Sequence, residues 1–245
     1  MGIFDLPAPL FAWADQAMSA FMSPTLRLVL WGLVAAVLSM GLYWMFSPQD
    51  KLTDIKTRAL AARRDLNAFD GDFAEAWPLM RSMLGLSLRQ LAMTTRPAVL
   101  ASLPVLALIV WLGTAYGYHL PADGEVIGVQ ATPDVQALAE LRTAENGSTE
   151  NPPRLVVTDP SGAVISDISL AAAVPTIHKK QWWNTLIGNP LGYLPDDGKI
   201  EAIVFDLPAN DYLGFGPGWL RPWYVLFFTI LVLGSLAIKM VGRIE

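Results

Sequence analysis

The chain has no cysteine, which excludes disulfides, a thiolate nucleophile and any cysteine-held metal or cluster. Its two histidines, His119 and His178, lie far apart, and His178 has no second ligand at metal-binding spacing. Charge is scarce. Only 16% of the 245 residues are Asp, Glu, Lys or Arg, against about 25% in an average soluble domain. The net charge of −5 gives a nucleic-acid partner no electrostatic support. No phosphate-cradling loop, nucleophile motif or paired-carboxylate pattern is present, so the chain reads as a non-enzyme needing no cofactor. What it has instead is apolar sequence: 53% hydrophobic residues and a mean hydropathy of +0.39.

That surplus is concentrated in three runs. Leu28 to Phe46 is 19 residues without a charge, Pro97 to Tyr118 is 22, and Pro222 to Ile238 is 17. A spanning helix needs roughly 20 such residues. The third run gains length if Lys239 extends its ammonium to the interface, and Trp219, Trp223 and Tyr224 form an aromatic belt at its other end. The expected class is an α-helical integral membrane protein with three transmembrane helices, a helical hairpin and a small β-rich domain. Segment 47–96 holds eight Lys and Arg, whereas 119–220 holds five against thirteen acidic residues. The positive-inside rule places 47–96 and the C-terminus in the cytoplasm, with the N-terminus and 119–220 outside. This suits a bacterial inner membrane. The expected order is an outer segment 1–26, spans at 27–46, 97–118 and 221–241, the hairpin 47–96, an outer α+β domain 119–220 and a tail 242–245.

Between the first two runs, DKLTDIKTRALAARRDLNAF keeps strict apolar time at Leu52, Ile55, Ala59, Ala62, Leu66 and Phe69. Intervals of three and four make one helical face. Ser47 or Asp50 is a candidate N-cap beside Pro48, and Gly71 with Asp72 and Glu75 marks a turn and a restart. A second helix over about 73–95 completes an antiparallel hairpin, with Phe73, Trp77, Met80, Leu84 and Leu91 as its expected seam and Met83, Leu86 and Leu88 flanking it. Met80, Met83, Met93 and Leu84 are candidates for an apolar client or partner surface, since methionine adapts to varied shapes. The competing reading packs this arc on lipid or on the hairpin itself.

Before the first run, PAPLFAWADQAMSAFMSP predicts a surface-lying helix with Leu10, Phe11, Ala14, Met18, Phe21 and Met22 on one face. In the outer domain, EVIGVQA, RLVVTDPSGAVISDISL and KIEAIVFDL predict a strand, a hairpin and a further strand, while DVQALAELRTAE has helical spacing at Val135, Leu138 and Leu141. Asp196 and Asp197 are turn chemistry beside Pro195 and Gly198. His178 reads as a packing residue, and Trp182 with Trp183 as cover for the domain's membrane face.

An N-out span, then SPQDKLTDIKTRALAARRDL, then LMRSMLGLSLRQLAMTTRP leading into a second span, with IKMVGRIE closing the third, resembles the Oxa/YidC/Alb superfamily of membrane-protein insertases. The layout is most similar to the three-span branch that includes the insertase-type subunit of the ER membrane complex and archaeal YidC-like proteins. The resemblance implies three spans around a groove open to the cytoplasm, which receives a client's hydrophobic segment. It implies Ser39, Arg96, Ser235 and Lys239 as groove or mouth residues. It implies membrane lipid and client segments as partners. Two features depart from it: no span carries a mid-span charge, leaving only Ser39, Ser102, Thr229 and Ser235 as polar groups, and the outer domain is large. The alternative is a non-catalytic accessory or assembly subunit, docked through its spans and outer domain on the transmembrane helices of a partner complex. Gly32, Ala35, Ala36, Ser39, Gly41 and Trp44 suit helix packing as well as they suit a groove.

Overall fold

A computed structural model describes residues 1–120, 128–133, 138–142, 154–158, 164–170 and 172–242. The chain divides into two compact units, residues 1–28 with 106–227, and residues 29–105 with 228–245. It is mostly helical, and among the described residues three helices are long and apolar enough to cross a membrane: α2 (Pro24–Phe46), α4 (Phe73–Tyr116) and α5 (Trp223–Gly242). Each contains most of one charge-free run, where leucine and alanine leave the backbone no polar side chain to compete with its own hydrogen bonds. At about 1.5 Å per residue, the 23 residues of α2 reach about 35 Å, enough for a hydrocarbon core of roughly 30 Å.

In the second unit, α2 gives way after Ser47 and Pro48 to α3 (Gln49–Asn67). Pro48 stands at the N-cap, and neither Ser47 nor Asp50 caps through its side chain. The periodic face of α3 is the shielded one: Leu52 and Ile55 are 3% and 5% exposed, and Ala59, Ala62, Leu66 and Phe69 are half-buried. Lys51, Arg58 and Arg64 are exposed, with Arg58 paired to Asp54 one turn earlier at 3.0 Å. The turn at 68–72 contains Gly71, as its position promised.

The largest departure from expectation is α4. A helix ending near residue 95 and a separate span from 97 were expected. The structure has one continuous helix of 44 residues, with Pro78, Pro97 and Pro104 inside it. An internal proline removes one backbone hydrogen bond and costs about 3 kcal/mol in an ordinary helix. Here each proline has at least one strong helix former beside it: Leu79, Arg96 with Ala98, and Leu103. In the turn before Pro97, Thr94 and Thr95 donate their hydroxyls to the carbonyl of Leu91 at 2.9 and 2.8 Å. Such interruptions are tolerated in apolar spanning helices.

The seam of α4 also differs. Its shielded positions between 73 and 97 are Ala76, Leu79, Met80, Met83, Leu86, Gln90, Met93, Thr94 and Pro97, whereas Phe73, Trp77, Leu84, Leu88 and Leu91 are exposed. Both sets keep helical spacing, so periodicity alone fits either.

The first unit begins with a 3-10 turn (Ile3–Asp5) and α1 (Ala8–Ser19). The expected single apolar face of α1 is split. Phe11, Ala14, Met18 and Met22 are half-buried, while Leu10 and Phe21 are exposed with Trp13. The helix is apolar on both sides, and contact with Trp111, not the pattern, decides which side turns inward.

Among the described residues, six strands make two antiparallel sheets. One has the order β1 (Val129–Thr132), β6 (Ala202–Phe205), β5 (Thr176–His178). The other has β2 (Leu138–Arg142), β3 (Arg154–Thr158), β4 (Val164–Ser169). The hairpin expected over 154–170 is β3 pairing β4, although its turn residues 159–163 lie outside the described residues. The strand expected at 125–131 is described only from Gly128 onward. Within 134–145 the helical expectation is overturned. Residues 138–142 form β2, paired with β3 from Leu138 opposite Thr158 to Arg142 opposite Arg154, and the rest of that stretch lies outside the described residues. Three apolar positions over so short a segment specify neither period, and the ladder offered by β3 decides. The core of this unit is Leu170, Ile177, Leu194, Ile200, Ile203, Phe205 and Leu207.

Candidate functional site

In the second unit, α2, α4 and α5 enclose a groove of about 420 Å³. Its lining includes one serine from each helix: Ser39 from α2, Ser102 from α4 and Ser235 from α5. The remainder is apolar apart from the phenol of Tyr43, with Met40, Ala101, Val105, Leu231 and Leu236 among the contributors. Two of the serines turn back on their own helices. Ser39 donates to the Ala36 carbonyl at 3.2 Å and Ser102 to the Val99 carbonyl at 2.8 Å. Each hydroxyl oxygen keeps lone pairs for a further donor. The structure thus brings Ser39 and Ser235 together, while Arg96 and Lys239 are exposed and line no part of this groove.

Small residues let the helices approach. Ala35 and Ala36 are fully buried, and Gly32 is buried beside them. A methyl group added at Gly234 would lie 2.9 Å from the Ala36 Cβ. Gly41 and Trp44, expected to share this role, face open space.

The hairpin carries a second recess of about 440 Å³, between Lys56, Ala59, Leu60 and Arg63 of α3 and Met83, Ser87 and Gln90 of α4. Met83 is half-buried in its lining. Met80 and Met93 are half-buried, and of the four candidate client-facing residues only Leu84 is exposed. It belongs to the stripe of Phe73, Trp77, Leu84, Leu88 and Leu91, which leaves a long apolar surface on the outer side of α4.

The first unit holds a polar cluster that motif reasoning missed. The Arg27 guanidinium in the first turn of α2 pairs with Asp15 of α1, and the Tyr116 hydroxyl in the last turn of α4 donates to the same carboxylate. Both charged side chains are 15% exposed. Arg27 also sits over the Tyr116 ring at 5.8 Å. The Tyr116 carbonyl at the end of α4 accepts from the Tyr212 hydroxyl at 3.0 Å and the Asn210 amide at 3.3 Å, which satisfies a helix-terminal acceptor. Burial pushes the Tyr212 phenol up to about 12, against smaller lowering effects of Asn210 and Arg27, so it stays a donor at neutral pH. One signal was available. Asp15 and Arg27 are the only charges between Leu6 and Gln49.

His178 packs against Trp183 at 5.0 Å and Tyr193 at 6.0 Å, with Nδ1 2.7 Å from the Lys179 carbonyl oxygen. Asp196 and Asp197 occupy a turn, whose Asp196 and Gly198 carbonyls accept from the Lys179 ammonium at 2.9 and 2.7 Å. Among the described residues no group of three His, Asp or Glu side chains is arranged to hold a metal. No family model matches the chain, and it matches neither a curated protein nor a solved structure.

Proposed function

We propose that the protein is an integral membrane protein that helps other membrane proteins insert or fold, in the manner of the Oxa/YidC/Alb insertases it resembles. The observation that carries this reading is the groove to which each of three apolar helices contributes a serine. Hydroxyls in an otherwise apolar recess lower the cost of holding a polar backbone or side chain at membrane depth, where an unsatisfied group costs several kcal/mol. The exposed stripe on α4 leads toward that recess along a single helix and offers a client's apolar segment a first resting place. In this reading α3 is structural. Its seam holds α4 in position, and its Lys and Arg face the cytoplasm and the lipid headgroups.

A second reading, an accessory subunit of a larger complex, is favoured by α5. That helix leaves Val232, Leu233, Leu236 and Met240 exposed, a face suited to partner helices. Photocrosslinking probes at Leu84, Leu88 and Ser235 separate the two. Insertase action predicts capture of nascent chains from many different membrane proteins at all three positions. Capture of one fixed partner would overturn it in favour of the accessory subunit.

A further inference from the structure

The outer face of the N-terminal segment is apolar beyond what burial requires. Ile3, Leu6, Leu10 and Trp13 recur at intervals of three, four and three, and all are exposed, Trp13 at 69%. No exposed acidic or basic side chain of residues 1–13 lies beside them. The two acidic residues of this segment both point inward. The Asp5 carboxylate accepts from the backbone of Gly2 at 2.6 Å and of Gly188 at 2.8 Å. Asp15 is held by Arg27 and Tyr116.

The Asp5 contact joins a second segment to the first. The Phe4 amide donates to the Leu186 carbonyl at 2.9 Å. The approach is so close that a Cβ at Gly2 would sit 2.4 Å from the Leu186 oxygen, and one at Gly188 would sit 2.5 Å from the Asp5 carboxylate. Leu186 follows the short turn Trp182–Thr185, where Trp182 is 80% exposed. Two apolar segments far apart in sequence are therefore clamped together, each with an exposed tryptophan.

Three contacts fix the level of α1 against the spanning helices. Asp15 reaches Arg27, the fourth residue of α2, and Tyr116, the last of α4. Phe11 packs on Trp111 with ring centroids 5.7 Å apart. Trp111 lies five residues before Tyr116, or about 7.5 Å along the axis. An in-plane helix buries its apolar face roughly 5–10 Å into the headgroup and acyl boundary. Only residues 20–23 separate α1 from α2, so the exposed stripe runs on into apolar surface at Leu26.

We propose that Ile3, Leu6, Leu10 and Trp13, with Trp182 and Leu186, form one in-plane lipid-binding surface in the outer leaflet. The occupant is the headgroup and upper acyl region of the bilayer. Tryptophan favours that layer because its ring is apolar and its N–H remains wet. This inference rests on α2 and α4 being membrane spans, as proposed above.

The cysteine-free chain suits the test. The full-length protein carrying Leu10→Cys, Trp13→Cys or Trp182→Cys, each labelled with a nitroxide, is reconstituted in phosphatidylcholine vesicles with a minority of phosphatidylglycerol. Val37→Cys, on the exposed side of α2, serves as the depth reference. Collision with oxygen should exceed collision with a water-soluble nickel chelate about twofold or more at all three test positions, and by a larger ratio at Val37. Nickel dominating at the three positions while Val37 remains lipid-exposed would overturn the lipid surface. Low access to both reagents there would overturn it too, by showing a protein cover. Nickel dominating at Val37 as well would overturn the spans and the surface together. Trp182 lies outside α1, so a variant that fails to fold through α1 leaves an independent reading.

Discussion

At the residue scale, the Asp15–Arg27–Tyr116 cluster is the most consequential small feature. Removing one partner of a shielded ion pair leaves the other charge uncompensated, which is more costly than never having built the pair. Asp15→Asn should therefore destabilise the protein by about 3 kcal/mol, read as a lower midpoint in thermal unfolding in detergent. Exchanging both partners, Asp15→Leu with Arg27→Met, should recover much of that loss. The same residues show where sequence reasoning stops. Asp15 and Arg27 were conspicuous for standing in an uncharged stretch, but Tyr116 lies about a hundred positions on, and no spacing rule reaches it. Gly2 and Gly188 are similar: only the approach of Phe4 to Leu186 explains why both lack a side chain.

At the element scale, the seam of α3 was legible because the helix has a single apolar face, although its N-cap was not. Leu52 and Ile55 were expected in the seam and are buried there. The arm opposite was legible as a helix but not in its orientation. With Met80, Met83, Leu84, Leu88 and Leu91 scattered over a wide arc, the pattern does not single out one apolar face of α4, and the face turned to the recess shared with α3 is the one with Met83. The strand β2 shows the same ambiguity between periods instead of faces. The two faces of the hairpin should respond differently to truncation. Leu52→Ala or Ile55→Ala should cost about 2–4 kcal/mol, as buried aliphatic truncations do. Leu88→Ala, on the exposed stripe, should stay within about 0.5 kcal/mol of the parent yet reduce crosslinking from a probe at Leu84. Chemical denaturation followed by circular dichroism gives the first comparison. Equal losses from Leu52→Ala and Leu88→Ala would contradict the assigned seam.

At the scale of the whole molecule, the three apolar runs and their order were readable from composition, since roughly 20 uncharged residues have few other uses. Orientation rests on the distribution of Lys and Arg alone, and it makes a direct prediction. In spheroplasts, a membrane-impermeant maleimide should label Lys199→Cys at once and Arg63→Cys only after permeabilisation. The reverse pattern would invert the topology, and with it the assignment of the hairpin to the cytoplasm. The close crossing of α2 and α5 has a further consequence, an electrical one. At Ala36 and Gly234 not even a methyl group fits between the helices, so no file of water molecules can thread between them at that level. A unit charge crossing 100 mV releases about 2.3 kcal/mol, and any continuous wet path would discharge the potential that energises the membrane. On the proposed insertase reading, this contact would close the α2–α5 side of the groove to water at the level of Ala36.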